Sequence, residues 1–434
     1  MRYKYKQYYP KMKRLRILLT AVAALAGISL SIAADPTATT YDAWQCQGSS
    51  MPYPVVTRVA VPDSLGLQAV MINHVSRHGA RFLSSSRYTR AMSRALAKAD
   101  SLGTITPRGR EFRKLVDLIV AKTASRWGAL DSLGMAEQRA IASRLFQAFP
   151  EVVKNARIHA IASYSPRAIA SMDEFTHQLS RLDNHVEIYT SSGRQNSPLL
   201  RAFDLNDDYR DYIASDGWRK VYSDFADAAL PLAPVSRLLG DAYPYEEGEA
   251  QDLAKVMYKI IAGCSAMSVD AGWERFLTLE EYNAMWSVEN LHHYLTYSAS
   301  TLSSAAPDMD SALLLDIIKT TDAFIAGESS TPIELRFGHA ETLMPLLALM
   351  HVPGCYYMTN YFDTVGLHWR DFYVVPMASN IQLILFKDAK GEYFVRLDLN
   401  EVPVPIIPGR SSLYVPWKTA REYFNRCLPL IDQL

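Results

Sequence analysis

A compact apolar run at 67–73 stops abruptly in "NHVSRHGARFLSSSRYTR", where Gly79 breaks the chain and Arg77, His78 and Arg81 crowd one short turn. Such a run, bounded by a turn and followed at 87–102 by a helical pattern, is the signature of a buried strand feeding a helix. Two further places repeat the arrangement. A strand at 157–162 leads into "SYSPRAIASMDEFTHQLSRL", with Ser165 as expected cap, Pro166 as first helical residue and Arg167 one residue inside. A strand at 333–337 breaks at Gly338, after which His339, Ala340 and Glu341 open the next helix. In α/β sheets ligands gather beyond the carboxyl ends of strands, where these three groups fall.

The remaining pattern sets the architecture. Helices are expected at 108–124 and 135–149, the latter stopped by Pro150, and a third short strand at 186–190. The span 205–325 reads as mostly helical, and strands return at 333–337 and in a hairpin over 380–399 that turns at 387–391. The expected fold class is therefore α/β: a mixed sheet flanked by helices, built from 46–204 and 326–434, with an inserted, mostly α-helical domain at 205–325. With 434 residues and 49% hydrophobic composition, the chain can bury a large core. Basic and acidic residues balance at 45 each, which excludes a general attraction to nucleic acid or anionic membrane. Any anionic ligand must be met by local charge.

The N-terminus reads as an export signal. Basic residues at 11–16 precede an apolar run at 17–34, and Ser31-Ile32-Ala33 supplies the small residues a signal peptidase reads, so 1–34 is assigned as a signal peptide. A retained anchor is the rival reading, since the run reaches the lower limit of about 18 residues for a span. Cleavage would give a periplasmic or secreted protein without stable membrane insertion. Cys46, Cys264, Cys355 and Cys427 lack the close spacing of metal ligands, leaving disulfides or free buried thiols open.

Arginine presents a planar fork that matches phosphate oxygens, so Arg77, Arg81 and Arg167 together suit one phosphoryl group. A neutral imidazole among them, His78, suits nucleophilic attack on phosphorus. Glu341 suits delivery of a proton to the leaving alkoxide, provided a neighbouring anion and partial burial keep it protonated. His339 is expected to stay cationic and bind phosphate oxygen. His74 and His78 are four apart, but on a strand and turn rather than a helix, which argues against a metal pair. His292-His293 is read as helix surface or cap, and Glu274, Glu280 and Glu281 as solvated helix charges.

"SRHGAR", "SPRAIASMDEF" and "FGHAET" together resemble the histidine acid phosphatases, and the His-Ala-Glu form resembles their multiple inositol polyphosphate phosphatase clade, which includes phytases. "LDSLGMAEQRAIASRLFQAFP", "SPLLRAFDLNDDY", "VPMASNIQLILF" and "LNEVPVP" extend the resemblance over most of the chain. It implies a phosphohistidine at His78, phosphate contacts from Arg77, Arg81, Arg167 and His339, proton donation by Glu341, inositol polyphosphates such as phytate as small-molecule substrates, and no metal or other cofactor. The chain ends "LIDQL" rather than in an endoplasmic reticulum retention address, and it lacks a Cys within "FDLNDDY", so the disulfides of vertebrate-type members are not carried over. A multiply phosphorylated ring needs further cations, for which Arg87, Arg90, Arg194 and Arg201 are candidates. The alternatives are a broad-specificity acid phosphatase, a phosphoglycerate-type phosphatase or mutase of the same superfamily, and a non-catalytic surface binder of phosphate ligands.

Overall fold

The apolar run becomes the central strand of a sheet in a computed structural model that describes residues 40–432. Its strands are β1 (Gln68–Arg77), β2 (Arg157–Ala162), β3 (Glu187–Ser192), β4 (Ile333–Gly338), β5 (Asn380–Lys387), β6 (Tyr393–Leu399), β7 (Val402–Val404) and β8 (Val415–Pro416). They lie in the order β3-β2-β4-β1-β5-β6-β7, with β8 paired to β6. β3, β2, β4 and β1 run parallel, and β5 to β7 continue antiparallel, which is the expected mixed sheet.

β1 runs four residues beyond the expected end at 73 because His74, Val75, Ser76 and Arg77 stay in register with Leu335 to Gly338 of β4. Strands covered on both faces tolerate such polar residues only when something else packs or pairs with them. The helices Ser132–Ala148 and Pro166–Leu182 cover one face through Ile72, Ala160, Leu335, Phe175 and Leu145. The other face packs Met71, Val75 and Leu383 against helices Leu279–Tyr297, Ser311–Ile325, Ala340–Leu349 and Trp417–Cys427. A third apolar core contains no strand residue and joins Arg87–Ser101 and Pro107–Thr123 to Ala233–Leu239 and Glu249–Gly263.

The segment read as a signal peptide lies outside the described residues. Among the described residues no helix is long and apolar enough to cross a membrane. All four cysteines are free thiols; Cys46, Cys264 and Cys355 are buried, and burial pushes the Cys46 and Cys264 thiols up to about 12.

Candidate active site

Strand register places the two histidine motifs side by side. Arg77 pairs with Gly338 across β1 and β4, so His78 and His339 are each one residue past the same rung. The His78 N–H donates to the Gly338 carbonyl at 3.2 Å, and the two imidazole centroids stand 5.8 Å apart. β2 supplies the third side of the site: the Ser163 N–H donates to the Phe337 carbonyl at 3.0 Å, and the Ser163 hydroxyl lies 2.9 Å from Nε2 of His339.

The His78 turn is held tightly. Glu137 accepts the Ala80 N–H at 2.7 Å, Ser171 Oγ accepts the Gly79 N–H at 3.1 Å, and the Gln138 side-chain amide donates to the Arg77 carbonyl at 3.0 Å. A Cβ on Gly79 would stand 2.5 Å from the Gly134 carbonyl oxygen, so this turn and the start of helix Ser132–Ala148 meet through two glycines. Nδ1 of His78 lies 2.9 Å from the Gly79 carbonyl, which fixes the proton on Nδ1 and leaves the Nε2 lone pair for chemistry. Burial, then Arg167, Arg77 and Arg81, hold the His78 imidazole well below its ordinary value.

Arginines surround it. Arg77 donates to the carbonyls of Ser49, at 2.6 Å, and Val375, at 2.5 Å. Burial lowers the Arg77, Arg81 and Arg167 guanidiniums to about 10, which leaves all three charged in neutral and acid solution. Arg167 reaches Nδ1 of His339 at 3.3 Å, and Arg201 reaches Nε2 at 3.0 Å. A neutral imidazole has one acceptor nitrogen, so it cannot satisfy both cations at once.

The structure corrects the charge expected for His339. Burial and the cations Arg167, Arg201 and Arg77 lower it to about 3 against the pull of Glu341, so it is neutral in the ligand-free pocket. Glu341 is ionised there as well. Burial raises its carboxyl, but the arginine charges of the pocket, Arg77 and Arg167 among them, help to hold it at about 2, so protonation in mild acid needs an anion that offsets these cations.

Of the further arginines, Arg201 belongs to the cluster. Its guanidinium also pairs with Asp204 at 2.6 Å and lies 4.7 Å from the rings of Tyr164 and Phe203. Arg194 sits 4.7 Å from the same Tyr164 ring, while Arg87 and Arg90 are exposed on the first helix, Arg87 bonded to Tyr88. Pro166 opens its helix as expected, but Ser165 makes no side-chain cap. His74 packs between Phe175 and Phe337 with neither ring nitrogen partnered, and so forms no pair with His78. Glu281 is not simply solvated: it completes a capping box with Thr278 and pairs with Arg237 at 2.5 Å.

Sequence reasoning gave no role to Glu137, Ser163, Ser171 or Asp371. Asp371 is buried and accepts the Ser49 N–H at 3.0 Å, behind the carbonyl that receives Arg77. No periodicity marks it, because its partners Ser49, Trp286 and His293 lie 322, 85 and 78 positions away.

No family model matches the chain. Multiple inositol polyphosphate phosphatase 1 of Homo sapiens is 38% identical over 94 residues, covering 19% of this chain and 19% of that protein. The Gallus gallus protein of the same name is 26% identical over 293 residues, 62% of this chain and 63% of that one. The chain therefore spans less than two thirds of the length of these relatives in the matched stretches. The fold superposes on a Bifidobacterium longum multiple inositol polyphosphate phosphatase in complex with inositol hexasulfate, with a TM-score of 0.76 at 17% identity, covering 89% of this chain and 99% of that one. A phytase from D. castellii gives a TM-score of 0.70 at 14% identity, covering 92% of this chain and 89% of that one. In matched sequence the chain is similar to multiple inositol polyphosphate phosphatases, and it shares the fold of such a phosphatase and of a phytase.

Proposed function

We propose that the chain is an exported acid phosphatase that releases phosphate from phytate and lower inositol polyphosphates through a phosphohistidine. The observation that carries this reading is the Nδ1 contact of His78 with the Gly79 carbonyl, which leaves Nε2 as nucleophile among the charges of Arg77, Arg81 and Arg167, with Arg201 on the neighbouring His339. Such a cluster repels itself without an anion and gains most when charge spreads over the equatorial oxygens of phosphorus.

In the first step Nε2 of His78 forms a bond to phosphorus as the bond to the inositol oxygen breaks. Glu341, protonated once the substrate phosphate offsets the arginines, gives its proton to that oxygen. In the second step Glu341 takes a proton from water, the oxygen attacks phosphorus, and the N–P bond breaks to free phosphate and His78. The names of the relatives and the inositol hexasulfate bound by the Bifidobacterium longum protein support the substrate class.

The test is acid-free quenching of the protein with radiolabelled phytate. A protein-bound label that survives base and is lost in acid, absent from His78→Ala together with all turnover, is expected. Full turnover by His78→Ala would overturn the mechanism.

A further inference from the structure

We infer that Glu289, His292 and His293 form a binding site for one divalent transition ion of the zinc class. The three residues stand at i, i+3 and i+4 on helix Leu279–Tyr297 and so share one face. One ligand atom from each lies within 4.8 Å of the others. Ligands of a tetrahedral zinc site stand roughly 3.3 Å apart, given metal–ligand bonds of about 2.0–2.1 Å, so small side-chain movements close the set.

Two features separate this cluster from an ordinary polar helix face. Nδ1 of His293 is 2.9 Å from Asp371, a buried carboxylate that also accepts from Trp286 Nε1 at 2.9 Å and from Ser49. A histidine whose one nitrogen donates to a carboxylate presents the other as a ligand, the arrangement that orients metal-bound imidazoles. That other nitrogen, Nε2, is 3.2 Å from Glu289 Oε1, so in the neutral ring two lone pairs face each other, a geometry that a shared cation relieves. The second feature is His292, whose buried Nδ1 has no partner while Trp218 and Tyr222 pack against its ring at 5.7 and 5.4 Å.

The ion class follows from the donors. Two imidazole nitrogens and one carboxylate suit zinc, cobalt, nickel or copper and not the all-oxygen preference of calcium or magnesium. Lys259 now pairs with Glu289 and would be displaced toward solvent. With two neutral imidazoles, the charges of Glu289 and Asp371 balance a divalent ion. Asp371 links the site to Ser49 and thereby to Arg77, so a bound ion would also tie helix Leu279–Tyr297 to the phosphate cluster.

The metal-stripped full chain is titrated with Zn2+ by calorimetry and with Co2+ by visible absorption, and its thermal unfolding is followed with and without zinc. Wild type is expected to take up about one equivalent, to show the intense bands of low-coordinate cobalt, and to unfold about 3–5 °C higher at a hundredfold excess over Kd. His292→Phe keeps the ring packing and Glu289→Gln keeps an acceptor for Lys259. Each should weaken binding at least ~10-fold and remove the cobalt bands, while His185→Ala, at an exposed site, should change neither. No uptake by wild type at 100 µM metal, or equal uptake by wild type and both cluster variants, would overturn the site.

Discussion

Arg201 approaches Nε2 of His339 at 3.0 Å, joining the turn between the short helices Ser197–Leu200 and Ala202–Leu205 to the strand-end motif. Its charge is one of those lowering the imidazole, so Arg201→Met should raise the His339 pKa from about 3 toward its ordinary value. It should also raise KM for phytate roughly 10-fold or more through loss of a charged contact. Titration of the His339 ring by NMR, with steady-state kinetics, checks both; an unmoved ring pKa would place Arg201 outside the cluster's electrostatics.

Glu341 should change protonation on binding anion. Free protein holds it at about 2, and inositol hexasulfate, by offsetting Arg77 and Arg167, should raise it by at least about one unit, as read from the carboxyl carbon shift. Glu341→Gln should slow phytate turnover by about 10²–10⁴ and p-nitrophenyl phosphate, with its better leaving group, by under about 10-fold. Equal losses would exclude proton donation.

Anions should stabilise the fold. Four mutually repelling guanidiniums predict that phosphate at a hundredfold excess over Kd adds about 2.7 kcal/mol, with a smaller effect at high salt. Differential scanning fluorimetry of wild type and Arg81→Ala checks this, the variant showing the smaller shift.

His74 sets an acid sensitivity. Its ring, fully buried and unpartnered, is lowered by burial, Arg58 and Arg336 to about 3, so below about pH 6.5 the unfolded chain binds a proton that the native state refuses. Stability is complete above that pH and falls as pH drops toward 3, by about 2 kcal/mol from this residue at pH 5. His74→Phe should flatten that part of the pH dependence of urea unfolding; an unchanged slope between pH 7.5 and 5 would refute it.

Gly134 is required by close approach. A Cβ there meets the Ala80 N at 2.6 Å, so Gly134→Ala should cost about 1–3 kcal/mol and displace the His78 turn, lowering turnover as well as the unfolding midpoint.

Much of this was legible in the sequence where local chemistry decides the outcome. β2 spans the expected residues because an apolar run ends at a Ser-Pro helix start, and the hairpin of β5 and β6 follows from alternation around Asp388 and Gly391. The end of β1 was misjudged because His74 to Arg77 looks polar, and only the pairing with β4 and the cover of Phe175 make it a buried strand. Arg77, His78, Arg167, His339 and Glu341 were singled out from their positions at strand ends, and the register of β1 and β4 sets His78 beside His339. Their protonation was not, because it depends on how many cations the fold brings together. The His292–His293 pair was read only as helix surface or cap, and Asp371 carried no readable signal, since the contacts that define it join segments far apart in the chain.

The rung shared by Arg77 and Gly338 makes the distance between the two reacting loops a property of backbone pairing alone. Insertions elsewhere leave that spacing untouched, so the surrounding walls can change shape while the separation of His78 and His339 stays the same.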